Sequence, residues 1–154
     1  MAATATAPVA SEKESKQLDL LMHLAEGDNG GVFHADLPKG VSDLGTLNRA
    51  WIEGLIEFGR QNSVETGVPT GSAAVGDKHT IIEPTFNWTG PKRTSHKSLR
   101  DLIAEDEKLP TNCVMAVETE DAKGVKKIGY QKQKNDALRL RVRLTDKGYA
   151  ALQS

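Results

Sequence analysis

The sequence predicts an α+β domain, because helical and strand periodicities occupy different parts of the chain. In the first third, apolar residues recur every three or four positions, which is typical of helices with one buried face. In the last third they alternate with polar residues, which is typical of antiparallel strands with one buried side. The 154 residues are enough for one domain with a hydrophobic core. We assign residues 16–154 to that single domain and residues 1–15, which are rich in Ala, Thr, Pro and Ser, to a disordered tail.

The first helix is predicted in the segment "SKQLDLLMHLAEG". Its apolar residues Leu18, Leu21, Met22 and Ala25 have the spacing of one helical face. Gly27 and the polar, glycine-rich residues after it predict the end of this helix.

A second, longer helix is predicted in "SDLGTLNRAWIEGLIEFGRQN", with Ser42 or Asp43 as its N-cap and Gly59 at its end. The interior glycine, Gly54, would weaken this helix by about 1 kcal/mol relative to alanine. The predicted buried stripe consists of Leu44, Leu47, Trp51, Leu55 and Phe58, widened by Ile52 and Ile56.

The middle of the chain predicts a mobile loop, a strand and a third helix. The loop is "SVETGVPTGSAAVGDK", which is rich in Gly, Ser and Pro after a strand-like start. The strand is "HTIIEPTFNW", and Pro84 would interrupt it or confine it to a sheet edge. The helix lies in "TSHKSLRDLIAEDEKLP", with Thr94 or Ser95 as its cap and Pro110 after its end.

The last third predicts a β-meander of three short strands, "CVMAVET", "VKKIGYQKQ" and "ALRLRVRL". In the third strand, leucine and valine alternate with Arg139, Arg141 and Arg143. Side chains on one face of a strand repeat about every 6.5–7 Å, which is close to the separation of phosphates along a nucleic-acid strand. Lys126, Lys127, Lys132 and Lys134, on the neighbouring strand and turn, would extend this basic face.

Charge is segregated along the chain although the formal net charge is −1. Residues 1–87 contain 6 basic and 12 acidic residues, whereas residues 122–147 contain 9 basic and 2 acidic residues. Such segregation can direct a polyanion to one face of a protein. The same residues would also suit an acidic partner protein, or would simply keep an exposed sheet soluble and block edge-to-edge pairing.

The segment "RVRLTDKGYAAL" resembles the end of a winged-helix domain, where the last strand of the wing closes on Leu-Thr and Thr caps a short helix. Here those residues are Leu144 and Thr145, followed by Lys147 and Gly148. The segment "LGTLNRAWIEGLIEFGRQNSVE" is similar to the recognition helix of that family and the first strand of its wing. The resemblance covers residues 17–66 and 138–152, so the residues between them would form an insertion in the wing or a second small lobe.

The resemblance implies a DNA-binding regulator or accessory factor, with Asn48 and Arg49 as helix contacts. The other exposed positions expected on this helix, Asp43, Glu53 and Glu57, are acidic and would repel phosphate. We therefore expect nucleic-acid contact, to DNA or RNA, mainly from the basic strands. Such contact would be salt-dependent and largely independent of sequence. The alternative is a winged-helix-like adaptor that docks on a larger protein complex, with Trp88 as an exposed aromatic anchor.

No arrangement of residues predicts an enzyme, a metal site or a cofactor. The four histidines, His23, His34, His79 and His96, lack metal-ligand spacing. The single cysteine, Cys113, begins an apolar strand and is expected in the core. One cysteine cannot form a disulfide within the chain, which is compatible with a cytoplasmic protein. No run of apolar residues is long enough for a membrane span, so we expect no membrane contact.

Overall fold

The computed structural model describes residues 12–27, 30–66 and 79–153. These residues form four α-helices and a six-stranded, mostly antiparallel sheet, which confirms the α+β class. The helices are α1 (Glu12–Ala25), α2 (Leu44–Ile52), α3 (Leu99–Ala104) and α4 (Asp146–Gln153). The strands are β1 (Val32–Phe33), β2 (Ile56–Thr66), β3 (His79–Trp88), β4 (Cys113–Glu120), β5 (Lys126–Gln133) and β6 (Arg141–Leu144). Their order in the sheet is β1-β6-β2-β3-β4-β5, and β3 runs parallel to β4.

The chain divides into two compact units. The described residues of the first unit are 12–27, 30–58, 88–102 and 140–153. Those of the second unit are 59–66, 79–87 and 103–139. Most of the segment that the winged-helix resemblance left uncovered therefore belongs to the second unit.

Helix α1 is confirmed, but its buried face differs from the predicted one. Leu20, Leu21 and Leu24 are buried, whereas Leu18 and Met22 are exposed by 48% and 54%. Apolar residues occur on more than one side of this helix, so its spacing alone did not fix the inward side; packing against α2, α4 and β6 does. The helix also begins at Glu12, within the segment assigned to the tail, while residues 1–11 lie outside the described residues.

Helix α2 is shorter than predicted, because it ends at Ile52 and not near Gly59. Gly54 has φ +77°, the left-handed conformation that a helix-terminating glycine adopts at low cost. The amide of Gly54 donates to the carbonyl of Trp51, and the amide of Leu55 donates to that of Ala50. This pair of hydrogen bonds is a Schellman motif. The glycine expected to weaken the helix interior is therefore the residue that ends the helix.

The residues after this turn form strand β2, which corrects the C-terminal half of the predicted helix. Ile56 and Phe58 alternate with the half-buried Glu57, and both apolar side chains are fully buried. The phenyl ring of Phe58 lies edge-on to the Trp51 indole at 5.0 Å. Leu55, Ile56 and Phe58 fit a helical stripe and a strand equally well over so few residues, and the Schellman turn decides between them.

The predicted meander is wrong at its third strand. β4 and β5 form the expected antiparallel hairpin, with Cys113 opposite Gln133 and Glu120 opposite Lys126. β6, however, lies between β1 and β2 in the sheet, away from β5. A 3₁₀ turn over Asn135–Leu138 replaces the start of the predicted strand. The alternation was still informative, because Val142 and Leu144 of β6 are buried.

Two smaller predictions also change. The hydroxyl of Ser98, rather than Thr94 or Ser95, accepts the amide of Asp101 in the first turn of α3. Strand β3 is confirmed, but Pro84 does not place it at an edge, since β3 lies between β2 and β4. The β3–β4 pairing covers residues 80–82 and so stops before the proline, which has no amide proton to contribute.

Each unit has its own buried residues. In the first unit, the Trp51 side chain is fully buried and its indole N–H donates to the carbonyl of Gly90 at 2.8 Å. In the second unit, Ile82, Cys113 and Leu138 pack together. The predicted core positions of Trp51 and Cys113 are therefore confirmed.

Candidate interaction site

The start of α4 is attached to the turn that ends α2. The hydroxyl of Thr145 donates a hydrogen bond to the carbonyl of Gly54. The same hydroxyl accepts a hydrogen bond from the amide of Gly148 at 3.1 Å. The amide of Thr145 donates to the carbonyl of Leu55 at 3.0 Å. A Cβ on Gly148 would collide with that same carbonyl. The Leu-Thr-x-x-Gly pattern thus has a local geometric role: Thr145 caps α4, as predicted, and Gly148 permits a close backbone approach.

An open groove of about 680 Å³ lies at this junction in the first unit. Its apolar lining comes from Ile52, Pro91, Leu144 and Tyr149. Ile52 is exposed by 65% and Tyr149 by 37%, so two large apolar side chains face solvent at the groove. Ile52 was predicted to widen the buried stripe of the long helix; its exposure follows from the earlier end of α2.

The charged residues of the groove carry both signs. Glu53 accepts a hydrogen bond from the Gln17 side chain and pairs with Arg49 at 3.7 Å. Asp146 and Lys147, in the first turn of α4, also line the groove and are exposed. Such a mixture suits hydrogen bonds and ion pairs with a polypeptide better than a polyphosphate, because the two carboxylates would repel phosphate.

Arg143 forms part of the groove wall through a cluster with Glu57 and Trp88. Its Nε donates to Glu57 Oε2 at 3.1 Å, and its guanidinium carbon lies 3.9 Å from the centre of the Trp88 ring. Glu57 Oε1 accepts the amide of Gly90 at 3.1 Å. The Glu57 side chain is only 14% exposed and belongs to β2, rather than to the exposed face of a helix as predicted.

The other two arginines of the predicted row also have intramolecular partners. The guanidinium of Arg141 lies 4.4 Å from the centre of the Phe33 ring, and its Nη1 approaches the carbonyl of Gly30 at 3.4 Å. Arg139 pairs with Asp136 at 3.8 Å, and both side chains are substantially exposed. A phosphate would compete with these contacts, most strongly at Arg143.

The two predicted helix contacts and the predicted aromatic anchor are all half-buried. Asn48 and Arg49 are half-buried on α2, and Arg49 is paired with Glu53. Trp88, predicted as an exposed anchor, is half-buried at the end of β3 beneath Arg143. Its ring also lies against Gly31, where an added Cβ would stand 3.0 Å from Trp88 Cη2.

The four predicted lysines are exposed but do not share one face of the hairpin. The β4–β5 register pairs Lys126 with Glu120, Lys127 with Thr119 and Lys132 with Val114. Because side chains alternate along a strand, Lys126 and Lys132 lie on one face and Lys127 lies on the other. Lys134 follows the strand in the chain. Lys126 also approaches Glu118 at 3.6 Å, an exposed pair of little energetic weight.

The part of the chain that the structure describes contains no cluster of three or more His, Cys, Asp or Glu side chains arranged for a metal ion. Burial raises the pKa of the Cys113 thiol above its usual 9.0, which lowers the thiolate fraction near neutral pH. No helix within the described ranges has the length and hydropathy of a membrane span.

Comparison with protein-family models, curated protein sequences and solved structures gave no match.

Sequence reasoning missed the groove because it depends on where α2 ends. A glycine followed by an apolar residue, as in Gly54-Leu55, is the signal of a Schellman turn and would have placed Ile52 at the exposed end of the helix. The role of Glu57 as the partner of Arg143 had no local signal, since the two residues are distant in sequence and meet through β2 and β6.

Proposed function

We propose that this protein is a winged-helix-like interaction module that binds a partner protein at the groove between the end of α2 and the start of α4. The observation that carries the proposal is the exposure of Ile52 and Tyr149 beside a concave surface. Large apolar side chains at a partly enclosed site are typical anchors of protein interfaces. The occupant we infer is a protein segment with an apolar side chain for the groove and polar groups for its rim.

The element order supports the winged-helix part of the proposal. Helix α1 precedes β1, a 3₁₀ turn over His34–Asp36 and helix α2, and β2 follows α2 directly. The first and last strands of a wing are expected to be neighbours, and β2 and β6 are neighbours in the sheet. On this interpretation α2 is the recognition-like helix, and the residues between β2 and β6 are an insertion in the wing.

The charges around α2 favour a protein partner over nucleic acid. Asp43 and Glu53 place carboxylates at the two ends of α2, Asp146 places one at the start of α4, and Arg49 is already paired with Glu53. The arginines expected to follow a phosphate backbone have partners within the chain. The competing hypothesis of nucleic-acid contact therefore rests on the lysines of the β4–β5 hairpin.

Site-specific photocrosslinking tests the proposal. A photoreactive phenylalanine analogue at Tyr149 should join the partner covalently, and the partner identified in this way is then purified and titrated calorimetrically. We expect Ile52→Glu to weaken binding by at least about tenfold, equivalent to 1.4 kcal/mol. The matched control is Met22→Glu, which introduces the same charge at an exposed helical site that does not line the groove.

Labelled duplex and single-stranded DNA are titrated in parallel at two salt concentrations. Tight, salt-sensitive DNA binding without any crosslinked protein would contradict the proposal. Equal losses of partner affinity in the Ile52 and Met22 variants would also contradict it, because the effect would then not belong to the groove.

A further inference from the structure

A second surface lies at the edge of the sheet in the second unit. β5 is the terminal strand of the sheet order, and β4 is its neighbour on one side. No strand in the described ranges pairs with its other side. β5 has eight residues, and six of them are exposed. The outer edge of such a strand presents backbone donors and acceptors that another strand can use.

The hairpin register identifies which backbone groups face outward. At the turn, the amide of Asp121 donates to the carbonyl of Val125 at 3.0 Å, so these two residues form a hydrogen-bonded pair. Hydrogen-bonded and non-hydrogen-bonded pairs alternate along an antiparallel ladder. The regular register of β4 and β5 therefore directs the N–H and C=O groups of the odd-numbered residues of β5 toward β4. Those of Lys126, Ile128, Tyr130 and Lys132 point away from β4.

The side chains of the same residues supply apolar and basic contacts. Ile128 is exposed by 70%, which is unusual for isoleucine, and Tyr130 is half-buried beside it on the same face. Lys126 and Lys132 lie on that face, at either side of the two apolar residues, and Lys127 lies on the opposite face. β5 contains no acidic residue. Its charge opposes pairing with a second copy of β5 and favours an acidic partner.

We propose that β5 binds an extended acidic segment of a partner protein by β-addition. A strand added in the plane of the sheet would pair with the outward N–H and C=O groups and direct its side chains to both faces. Its carboxylates would then meet Lys126 and Lys132 on one face and Lys127 on the other. Ile128 and Tyr130 would contact its apolar residues. This site is independent of the groove at α2, and either can fail without the other.

A peptide fits this edge better than a nucleic acid. The outward groups include carbonyl acceptors as well as amide donors, and phosphate oxygens can satisfy the donors but not the acceptors. A phosphate backbone following one face of the hairpin would also leave Lys127 on the other side of the sheet. Strand addition uses both kinds of backbone group and both faces.

The test is a titration of the full chain, labelled with ¹⁵N, with the end-capped peptide Glu-Glu-Val-Thr-Val-Glu-Glu, followed by NMR. Every second side chain of this peptide, beginning with the first (Glu, Val, Val, Glu), lies on one face of a strand, and further glutamates lie on the other face. We expect the amide signals of Lys126, Ile128, Tyr130 and Lys132 to move downfield and gain protection from exchange. The amides of Lys127 and Gly129, which already face β4, should change less. A peptide N-methylated at alternate residues, which keeps its charge but loses backbone donors, should bind at least about tenfold more weakly, a loss of 1.4 kcal/mol.

Charge reversal at two lysines of β5 tests their contacts with the peptide, and charge reversal at a distant lysine is the control. Lys126→Glu with Lys132→Glu should abolish the peptide-induced shifts, whereas Lys39→Glu, at an exposed site in the first unit, should leave them unchanged. The proposal fails if the peptide moves no β5 amide at millimolar concentration, or if the N-methylated peptide binds equally well. It also fails if an oligothymidine shifts these amides and the peptide does not, since β5 would then be a nucleic-acid contact.

Discussion

The backbone amide of Thr145 donates a hydrogen bond to the carbonyl of Leu55 over 3.0 Å, so the first turn of α4 is held against the turn that ends α2. The Thr145 hydroxyl adds two further bonds, to the carbonyl of Gly54 and from the amide of Gly148. The groove is therefore formed by two segments that are far apart in sequence, the turn that ends α2 and the first turn of α4. Its shape depends on these three hydrogen bonds.

Thr145→Ala should lower the free energy of unfolding by about 2 kcal/mol, because it removes a helix cap and a second hydrogen bond. Thr145→Ser keeps the hydroxyl and should lose less than half as much. Urea denaturation followed by circular dichroism measures both values. Equal losses in the two variants would mean that the methyl group, and not the hydroxyl, stabilises the junction.

Gly148→Ala should destabilise the protein by about 1–3 kcal/mol, since the new Cβ would collide with the Leu55 carbonyl and force the backbone apart. Gly45→Ala is the matched control, because Gly45 is an exposed helical glycine whose added Cβ would stand 3.4 Å from Asp43 Oδ2. There the same substitution should stabilise by up to about 1 kcal/mol, from helix propensity. Thermal and urea denaturation should give shifts of opposite sign. A Gly148→Ala variant as stable as the wild type would contradict the close approach at Gly148.

Arg143→Ala should cost about 1–2 kcal/mol of folding stability, because it leaves the Glu57 carboxylate, 14% exposed, without its charged partner. Arg139→Ala should cost less than about 0.5 kcal/mol, because its pair with Asp136 is exposed. Differential scanning calorimetry of the two variants distinguishes a structural arginine from a surface one. A stability of Arg143→Ala equal to that of the wild type would show that the cluster with Trp88 contributes nothing to folding.

Asp43 should make part of the stability depend on pH. Its carboxylate accepts the hydroxyl and the amide of Thr46, and the hydroxyl contact in particular lowers the pKa of Asp43 below 3.8. A carboxyl group with a lowered folded-state pKa stabilises above its unfolded pKa, and this stability is lost as the pH falls through the folded value. Asp43→Asn can still cap α2 but has no carboxylate, so it should be less stable than the wild type near pH 7, and the difference should shrink below about pH 4 as the wild type loses stability.

The control for that experiment is Asp43→Ala, which removes the cap and should cost about 1 kcal/mol at neutral pH. Unfolding free energies at several pH values between neutral and acidic provide the comparison. Parallel pH profiles for the wild type and Asp43→Asn would rule out the Thr46 contact as a source of the pH dependence.

Cys113 should react with a thiol-specific chromogenic disulfide far more slowly in the folded protein than in urea. Its side chain is 2% exposed, and burial raises its pKa, so both access and the thiolate fraction are reduced. The absorbance of the released thiolate measures the rate. Rapid modification under native conditions would indicate that the Ile82–Cys113–Leu138 cluster opens readily.

Several features of the site were already determined by local chemistry. The resemblance of Leu144, Thr145 and Gly148 to the end of a winged-helix domain implied that Thr145 caps a short helix, and Ser42 or Asp43 with the leucines after it predicted the start of α2. These features depend on residues within one or two turns of each other, where capping and periodicity act directly. The predicted length of the second helix was wrong, because the apolar residues at 55–58 fit the buried face of a strand as well as a helical stripe.

The sequence by itself determined the α+β class, the start of α2, the capped helix α4, the alternation that buries Val142 and Leu144, and the hairpin of β4 and β5. Tertiary structure decided that β6 lies beside β1 and β2, that Arg143 pairs with Glu57, and that Ile52 remains exposed. The physical reason is the range of the interactions. Caps, turns and periodicity join near neighbours, whereas strand order and ion pairing depend on which distant segments together bury the apolar surface.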